Sequence, residues 1–371
     1  MTALLQAATS VTTELEVEFP NLFGGVAINY YRGFEIFGVS IYWYGVLITI
    51  GVILAYFYAM HRSKEFGLNK DRVFDVVFAA LIGGFLGARI YYCVFTTLDP
   101  NSGIDYNFVT AFTTIRDGGL AIYGGIIGGF LVGFVACKIR KVNFFAMTDL
   151  AALGFLIGQT IGRWGNFINQ EAHGGVCDPD WIFGMNGTII SSEVEAGALV
   201  HPCFLYESAW CLVGFVALHF YSKKLRTFDG EIALLYVAWY GLGRFFIESL
   251  RTDSLMAGSF RVSQLLAGVS FAAAVILLIV FKILTEKKNI PLYVNTDACK
   301  ELWEQDMAAE KAAAEKKAAK QQAPSILADD ADEAELPETE ETPENEEEVA
   351  EREQDNAPEE LPEEDENESE D

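Results

Sequence analysis

Four side chains near residue 245 are of types that an apolar helix has no use for: Tyr240, Arg244, Glu248 and Arg251. Arg244, Glu248 and Arg251 are spaced i, i+4, i+7, with Tyr240 one turn earlier, so all four share one helix face. Ionisable groups inside a hydrophobic segment are costly and are functional candidates by default. The bland alternative is a Glu248–Arg251 surface pair with Arg244 snorkelling to water. Against it, Arg244 lies two turns before the end of the apolar run. Arginine suits a phosphate: its planar fork gives bidentate, charge-assisted bonds and never deprotonates. Glutamates beside it would hold the forks and limit the excess positive charge.

The elements that must position these groups are membrane spans. A span needs about 20 mostly apolar residues, and such runs lie near 41–60, 74–95, 118–137, 144–161, 202–220, 231–250 and 263–283. Alternating barrel strands are absent from them, so helices must satisfy the backbone in lipid. One set of loops carries Arg62, Lys64, Lys70 and Arg72, then Lys138, Arg140 and Lys141, then Lys223, Lys224 and Arg226. Lys282, Lys287 and Lys288 follow the last run. Crowded basic loops face the cytoplasm, which predicts the N-terminus outside and the C-terminus inside. In that orientation Tyr44, Tyr123, His201 and Glu207 lie at the outer ends of inward-running spans. Arg89, Arg163 and Arg244 lie toward the outer ends of outward-running ones. Each alone could be an interfacial anchor; together they resemble a lined cavity open to the outer leaflet, fit for a phospholipid head group.

Composition agrees once the charge is located. The net charge of −26 over 371 residues looks unlike a membrane protein. Residues 301–371, however, hold 29 acidic and 5 basic side chains, and the first 300 are nearly neutral. The acidic balance therefore describes a tail and excludes only that this tail is a nucleic-acid arm. The expected architecture is an all-α integral membrane protein of about seven transmembrane helices, with a small extracytoplasmic cap and a disordered acidic cytoplasmic tail. Its divisions are an extracytoplasmic N-terminal segment at 1–40, a seven-span catalytic domain at 41–283 with the cap at 162–200, a partly helical juxtamembrane stretch at 284–322, and the tail at 323–371. Glu14, Glu16 and Glu18 stand where a removable signal peptide would be basic or apolar. Glycines 83, 84 and 87, and 124, 125, 128, 129 and 133, have the small-residue spacing that lets helix backbones approach; tight packing and a functional role both remain open for them. The six cysteines fit no metal or redox spacing. Cys177 and Cys203 flank the cap and are either a disulfide or two free thiols. His61, His173, His201 and His219 form no metal-ligand cluster.

The run Gly162-Arg163-Trp164-Gly165-Asn166-Phe167-Ile168-Asn169-Gln170-Glu171 closely resembles the signature of the bacterial phosphatidylglycerol–prolipoprotein diacylglyceryl transferases. Further pieces resemble the same family in the same order: Tyr42-Trp43-Tyr44-Gly45, the glycine-rich 118–129 run, His201-Pro202 with Leu205-Tyr206-Glu207, and Tyr240-Gly241 through Arg244, Glu248 and Arg251. The resemblance covers roughly residues 35–285. It implies transfer of the diacylglyceryl unit of phosphatidylglycerol to the lipobox cysteine of a prolipoprotein, releasing glycerol 1-phosphate, in the bacterial cell membrane. It implies no metal and no cofactor. By residue, it implies that Arg163 binds the lipid phosphate and that Arg244 is a second essential arginine. Asn166, Glu171, Tyr44, Tyr240, Glu248 and Arg251 match other functional positions. The chain departs at Tyr123, where many members have histidine. A tyrosine with a reference pKa near 10 is a poor base at neutral pH, which puts a histidine-base mechanism in doubt.

The candidate site is thus Arg163, Arg244 and Tyr123 for catalysis, with Asn166, Glu171, Tyr44, Tyr240, Glu248, Arg251, Glu207, His201 and Arg89 for substrate. The rival class is a small-anion transporter using the same arginines. It needs polar groups continuing to the cytoplasmic side. Asp149 is the clearest of those, and its plainer reading is a residue near a helix N-terminus. A non-catalytic lipid-binding scaffold would hold phosphatidylglycerol but leave a lipobox peptide unmodified.

Overall fold

The computed structural model describes residues 11, 13–99, 102, 110, 113–114, 119–195, 197–252, 256–257 and 260–322. Its core is a bundle of seven helices, each matching one expected apolar run: α1 (Trp43–Arg62), α2 (Lys70–Leu98), α3 (Ile122–Ile139), α4 (Phe144–Asn169), α5 (Cys203–Lys224), α6 (Glu231–Leu250) and α7 (Val262–Lys288). Six of them, all but α6, are long and apolar enough to cross a membrane. The exception is the helix whose apolar run is broken by Arg244 and Glu248. An eighth helix, α8 (Asp297–Gln322), follows, where the sequence predicts a partly helical stretch. The acidic tail expected at 323–371 lies outside the described residues.

Helix α4 is the hub. It packs on α1, α5 and α6 and buries Leu150, Leu153 and Leu156 completely. Asn143 caps its first turn, accepting from Ala146 N at 2.9 Å, which satisfies a backbone donor that the helix start leaves orphaned. Helices α2 and α3 form a second pair, and α6 pairs with α7. The α2–α3 contact explains the glycines. A Cβ on Gly87 would collide with the Gly124 carbonyl, and one on Gly83 would stand 2.9 Å from the Gly128 carbonyl. Backbone meets backbone there.

The cap is not wholly helical. Strands β1 (Glu14–Phe19) and β2 (Val26–Tyr31) pair antiparallel, and β5 (Asn186–Gly187) adds to β1, giving the order β2-β1-β5. Two short hairpins, β3–β4 (Gly33–Ile36 and Val39–Tyr42) and β6–β7 (Met256–Ala257 and Phe260–Arg261), lead into α1 and α7. Alternation in β1 explains the first sheet. Leu15, Val17 and Phe19 are buried, while the intervening glutamates face the other way. Val17 and Phe19 join Met185, Ile190, Val200 and Phe204 in one small core, so the N-terminal segment and the 162–200 segment form one unit. Gln170 ties it together: it donates to Glu16 O (2.9 Å) and Tyr30 Oη (3.1 Å) and accepts from Ile189 N (2.8 Å). Cys177 and Cys203 are buried as thiols, not joined in a disulfide, and burial pushes the Cys177 thiol up.

Candidate functional site

Glu207, in the first turns of α5, is the centre of the arrangement, with its side chain 4 % exposed. Its Oε2 meets Arg163 Nη2 of α4 at 2.5 Å, and its Oε1 meets Arg244 Nη1 of α6 at 2.7 Å. Arg251 approaches the same oxygen at 3.6 Å. Arg244 also grips Glu248 Oε2, one turn on, at 2.5 Å. Three guanidiniums from two helices and a helix end therefore share two carboxylates. The four polar residues of the 240–251 face do converge. Tyr240 stacks on Tyr236 with centroids 6.0 Å apart and lies within electrostatic reach of Arg163, Glu207 and Arg244.

The signature run builds the second part of the site. Arg163 Nη1 donates to Asn166 Oδ1 (3.2 Å), and Asn166 Nδ2 donates to Glu171 Oε1 (2.9 Å). Asn169 Nδ2 reaches the same oxygen at 3.2 Å. The chain turns at Gln170, which takes a left-handed backbone (φ 53) and brings Glu171 back over the end of α4; Glu171 N bonds to Asn166 O at 3.0 Å. Gly165 has its own reason: a Cβ there would collide with the Tyr44 ring. Tyr44 thus packs against Gly165 of α4, within electrostatic reach of Glu171 and Arg163.

The cap fixes the outer edge of this cluster. Gly174 N donates to His201 O, and Gly175 N to Leu250 O, both at 2.8 Å. The segment after Glu171 is therefore stitched between the start of α5 and the end of α6, and Gly174 bridges to Arg251 itself. A Cβ on Gly174 would stand 2.7 Å from His201 Cβ, so only glycine passes there. His201 Nδ1 lies 3.3 Å from Tyr206 Oη, which also accepts from Trp181 Nε1 at 2.7 Å. Burial lowers the His201 pKa, which keeps the ring neutral at neutral pH.

Two expected members occupy other settings. Arg89, buried on α2, donates to Gly119 O (3.0 Å) and Thr114 Oγ1 (2.7 Å) and lies over Tyr92. Tyr123 stands on the first turn of α3, 42 % exposed. The third guanidinium at Glu207 is that of Arg251. Sequence reasoning missed Arg261, whose Nη1 donates to Glu248 O at 2.7 Å, and Asn169, although the latter sits inside the signature run. Asp149 is fully buried on α4, where it accepts from Gly230 N and Ala233 N, both at 2.9 Å, at the start of α6.

Chemically, the Glu207 cluster has the groups that an anion site needs, guanidiniums held in place by carboxylates. Guanidinium forks are fixed by carboxylates and an asparagine, and the three guanidiniums exceed by one the two carboxylates they pair with, Glu207 and Glu248. Comparison with known proteins shows the family of the chain. The family profile of the prolipoprotein diacylglyceryl transferases matches residues 32–280. A phosphatidylglycerol–prolipoprotein diacylglyceryl transferase of Staphylococcus haemolyticus is 41 % identical over 275 residues, spanning 72 % of this chain and 95 % of that protein. Its counterpart in Staphylococcus aureus is 39 % identical over 282 residues, 74 % of this chain and 96 % of its own length. One from Clostridium novyi is 43 % identical over 246 residues, covering 66 % and 93 %.

Proposed function

The chain belongs to the prolipoprotein diacylglyceryl transferase family, and on that premise we propose how the Glu207 cluster carries out the reaction. The protein is a bacterial multi-pass membrane transferase that moves a diacylglyceryl group from phosphatidylglycerol to a prolipoprotein. Phosphatidylglycerol carries one phosphodiester charge, and the three guanidiniums exceed by one the two carboxylates they pair with directly, Glu207 and Glu248. Arg163 and Arg244 grip the phosphate from two helices; Arg251 closes the outer side. Asn166 and Glu171 orient Arg163, Glu248 orients Arg244, and Tyr44 and Tyr240 line the approach. His201 and the cap cover the mouth.

The acceptor is the thiol of the lipobox cysteine in the prolipoprotein signal peptide. Its sulfur attacks the glycerol carbon bearing phosphate. A sulfur–carbon bond forms, the carbon–oxygen bond breaks, and the electron pair stays on the phosphate oxygen. The thiol proton goes to the departing ester, which leaves as glycerol 1-phosphate. The positive field lowers the incoming thiol below its reference pKa of about 8.5 and stabilises the charge that builds on the leaving phosphate. This chain's own cysteines take no part. The crowded Lys and Arg of the loops at the end opposite the cap support a cytoplasmic location for that end, with the cap outside. Residues 41–283 then form the catalytic body, and 323–371 an acidic cytoplasmic tail.

The observation that carries this reading is Glu207 shared by Arg163 and Arg244. The test is the purified full chain with phosphatidylglycerol micelles and a lipobox peptide, read by the peptide's mass gain and by glycerol 1-phosphate release. Arg163→Ala and Arg244→Ala should each lower kcat by about 10²–10³-fold, the usual cost of one transition-state donor. Full activity in both variants would remove the cluster from the reaction.

A further inference from the structure

Glu207 sits between two interhelical locks that no part of the reaction touches. On the α4 side, Ser208 Oγ donates to Thr160 O (2.8 Å) and accepts from Trp164 Nε1 (3.2 Å). On the α6 side, Trp210 and Trp239 form a reciprocal clasp. Each indole Nε1 donates to the other residue's backbone carbonyl at 2.9 Å. Their rings stack with centroids 4.4 Å apart and an interplanar angle of 17°. Each ring also lies over a glycine of the partner helix: a Cβ on Gly214 would collide with Trp239, and one on Gly243 with Trp210. Both helices thus use Trp-x-x-x-Gly, and the antiparallel contact is two-fold symmetric. Residue 210 faces 243 while 239 faces 214.

This contact admits one register. The stacked rings fill the space over both glycines, and each half-buried indole N–H would lose its carbonyl acceptor if the helices slid. A slip of one residue moves α6 by about 1.5 Å along its axis and turns its side chains by about 100°. A lone Arg–Glu pair is more tolerant, because the long arginine can follow. Glu207 is three residues before Trp210, and Arg244 follows Gly243 directly. The register that the clasp fixes is the one in which Glu207 spans Arg163 and Arg244.

We infer that the Trp210–Trp239 clasp is a positioning device for the phosphate site: it sets the α5–α6 register that places Arg244 on Glu207. The inference rests on the role proposed above for Arg244. Both Trp239→Phe and Trp210→Phe keep an aromatic ring and remove one N–H donor. With phosphatidylglycerol micelles and a lipobox peptide, each should lower kcat about tenfold with KM changed less than about twofold, since misplacement by about 1 Å can cost about 10²-fold in rate. In an Arg244→Lys background the same substitutions should add little, because the arginine they position is gone. An equal fold-loss in both backgrounds, or unchanged kcat with a lowered melting temperature alone, would overturn the inference and make the clasp a packing element. Full activity in Arg244→Ala would instead sink the parent reading. Should one Phe variant fail to accumulate, the other carries the comparison, since each removes half of the same symmetric contact.

Discussion

At the cap end Glu207 is answered by three guanidiniums; at the opposite end of the bundle Asp149, equally buried, is answered mostly by backbone. Asp149 takes its two hydrogen bonds from the first N–H groups of α6, and Arg226 stands off at 3.7 Å. Around it, Glu231 accepts from Thr227, Phe228 and Tyr221. Asp229 accepts from Tyr293 N at 2.7 Å. Arg226 lies 4.2 Å from the centre of the Phe66 ring, and Arg62 is held by Glu65, Tyr58 and Ser222. Carboxylates outnumber guanidiniums here, and the positive partner is largely a helix N-terminus, which favours negative charge. The two ends use the same residue types. What separates a structural network from a ligand site is the sign of the residual charge and whether fixed donors already answer it. The tail-end network also gives Asp149 a capping task, which removes the strongest support for a polar path continuing across the bundle.

The comparison breaks most visibly at Glu207. Glu207→Gln keeps the volume but turns one oxygen into a donor facing arginine. Breaking a buried ion pair costs about 3–5 kcal/mol; with the arginines here 11–21 % exposed, about 2–4 kcal/mol is expected. The forks lose their common anchor, so kcat should fall at least about 10²-fold. The check is glycerol 1-phosphate release normalised to folded protein, together with the melting temperature in detergent. Retained kcat in Glu207→Gln would mean that the carboxylate does not organise the arginines.

Asp149→Asn sharpens the contrast from the other end. One amide oxygen cannot serve both Gly230 N and Ala233 N without turning an NH₂ toward one of them. An unsatisfied buried donor costs about 1–3 kcal/mol, so the melting temperature should drop while kcat per folded molecule stays level. A large loss of kcat with unchanged melting would show that the far end takes part in turnover and would revive the transport reading.

How much of this was legible in the chain depends on whether a signal was local. Arg244, Glu248 and Arg251 announce themselves because helical spacing within one segment puts them on one face, and Arg163 because a ten-residue run marks it. The alternation Glu14-Leu15-Glu16-Val17-Glu18-Phe19 is equally local and has the period of a half-buried strand. Read only for its charge, it hides β1 and the sheet that unites the N-terminal segment with the cap. Arg251 as the third ligand of Glu207, and the facing of Trp210 by Gly243, depend on helix register and could not be read from either helix alone. Arg89 shows what depth in the sequence leaves open. Sequence depth places it level with the other arginines, but depth says nothing of azimuth, and it lies with Gly119 and Thr114.

The smallest expected effect concerns His201, which belongs to the cap rather than to either charged cluster. Its neighbours are Tyr206 Oη at Nδ1, the Trp181 ring and the Gly174–Gly175 backbone, none of them a carboxylate that would hold an imidazolium. Burial holds its pKa below the ordinary 6.5, so the unfolded chain binds the proton more readily than the folded one. Stability contributed by the neutral ring is therefore present above pH about 6.5 and lost as pH falls from there toward the folded-state pKa. His201→Gln, which cannot titrate, should melt with a shallower acid-side decline between pH about 6.5 and 5 and leave the neutral-pH kcat within about threefold. An acid-side slope identical to the parent protein's would assign the decline to other groups. A collapse of kcat at neutral pH would move His201 from the cap into the reacting cluster, and the cap end would then have to be read as two coupled sites instead of one.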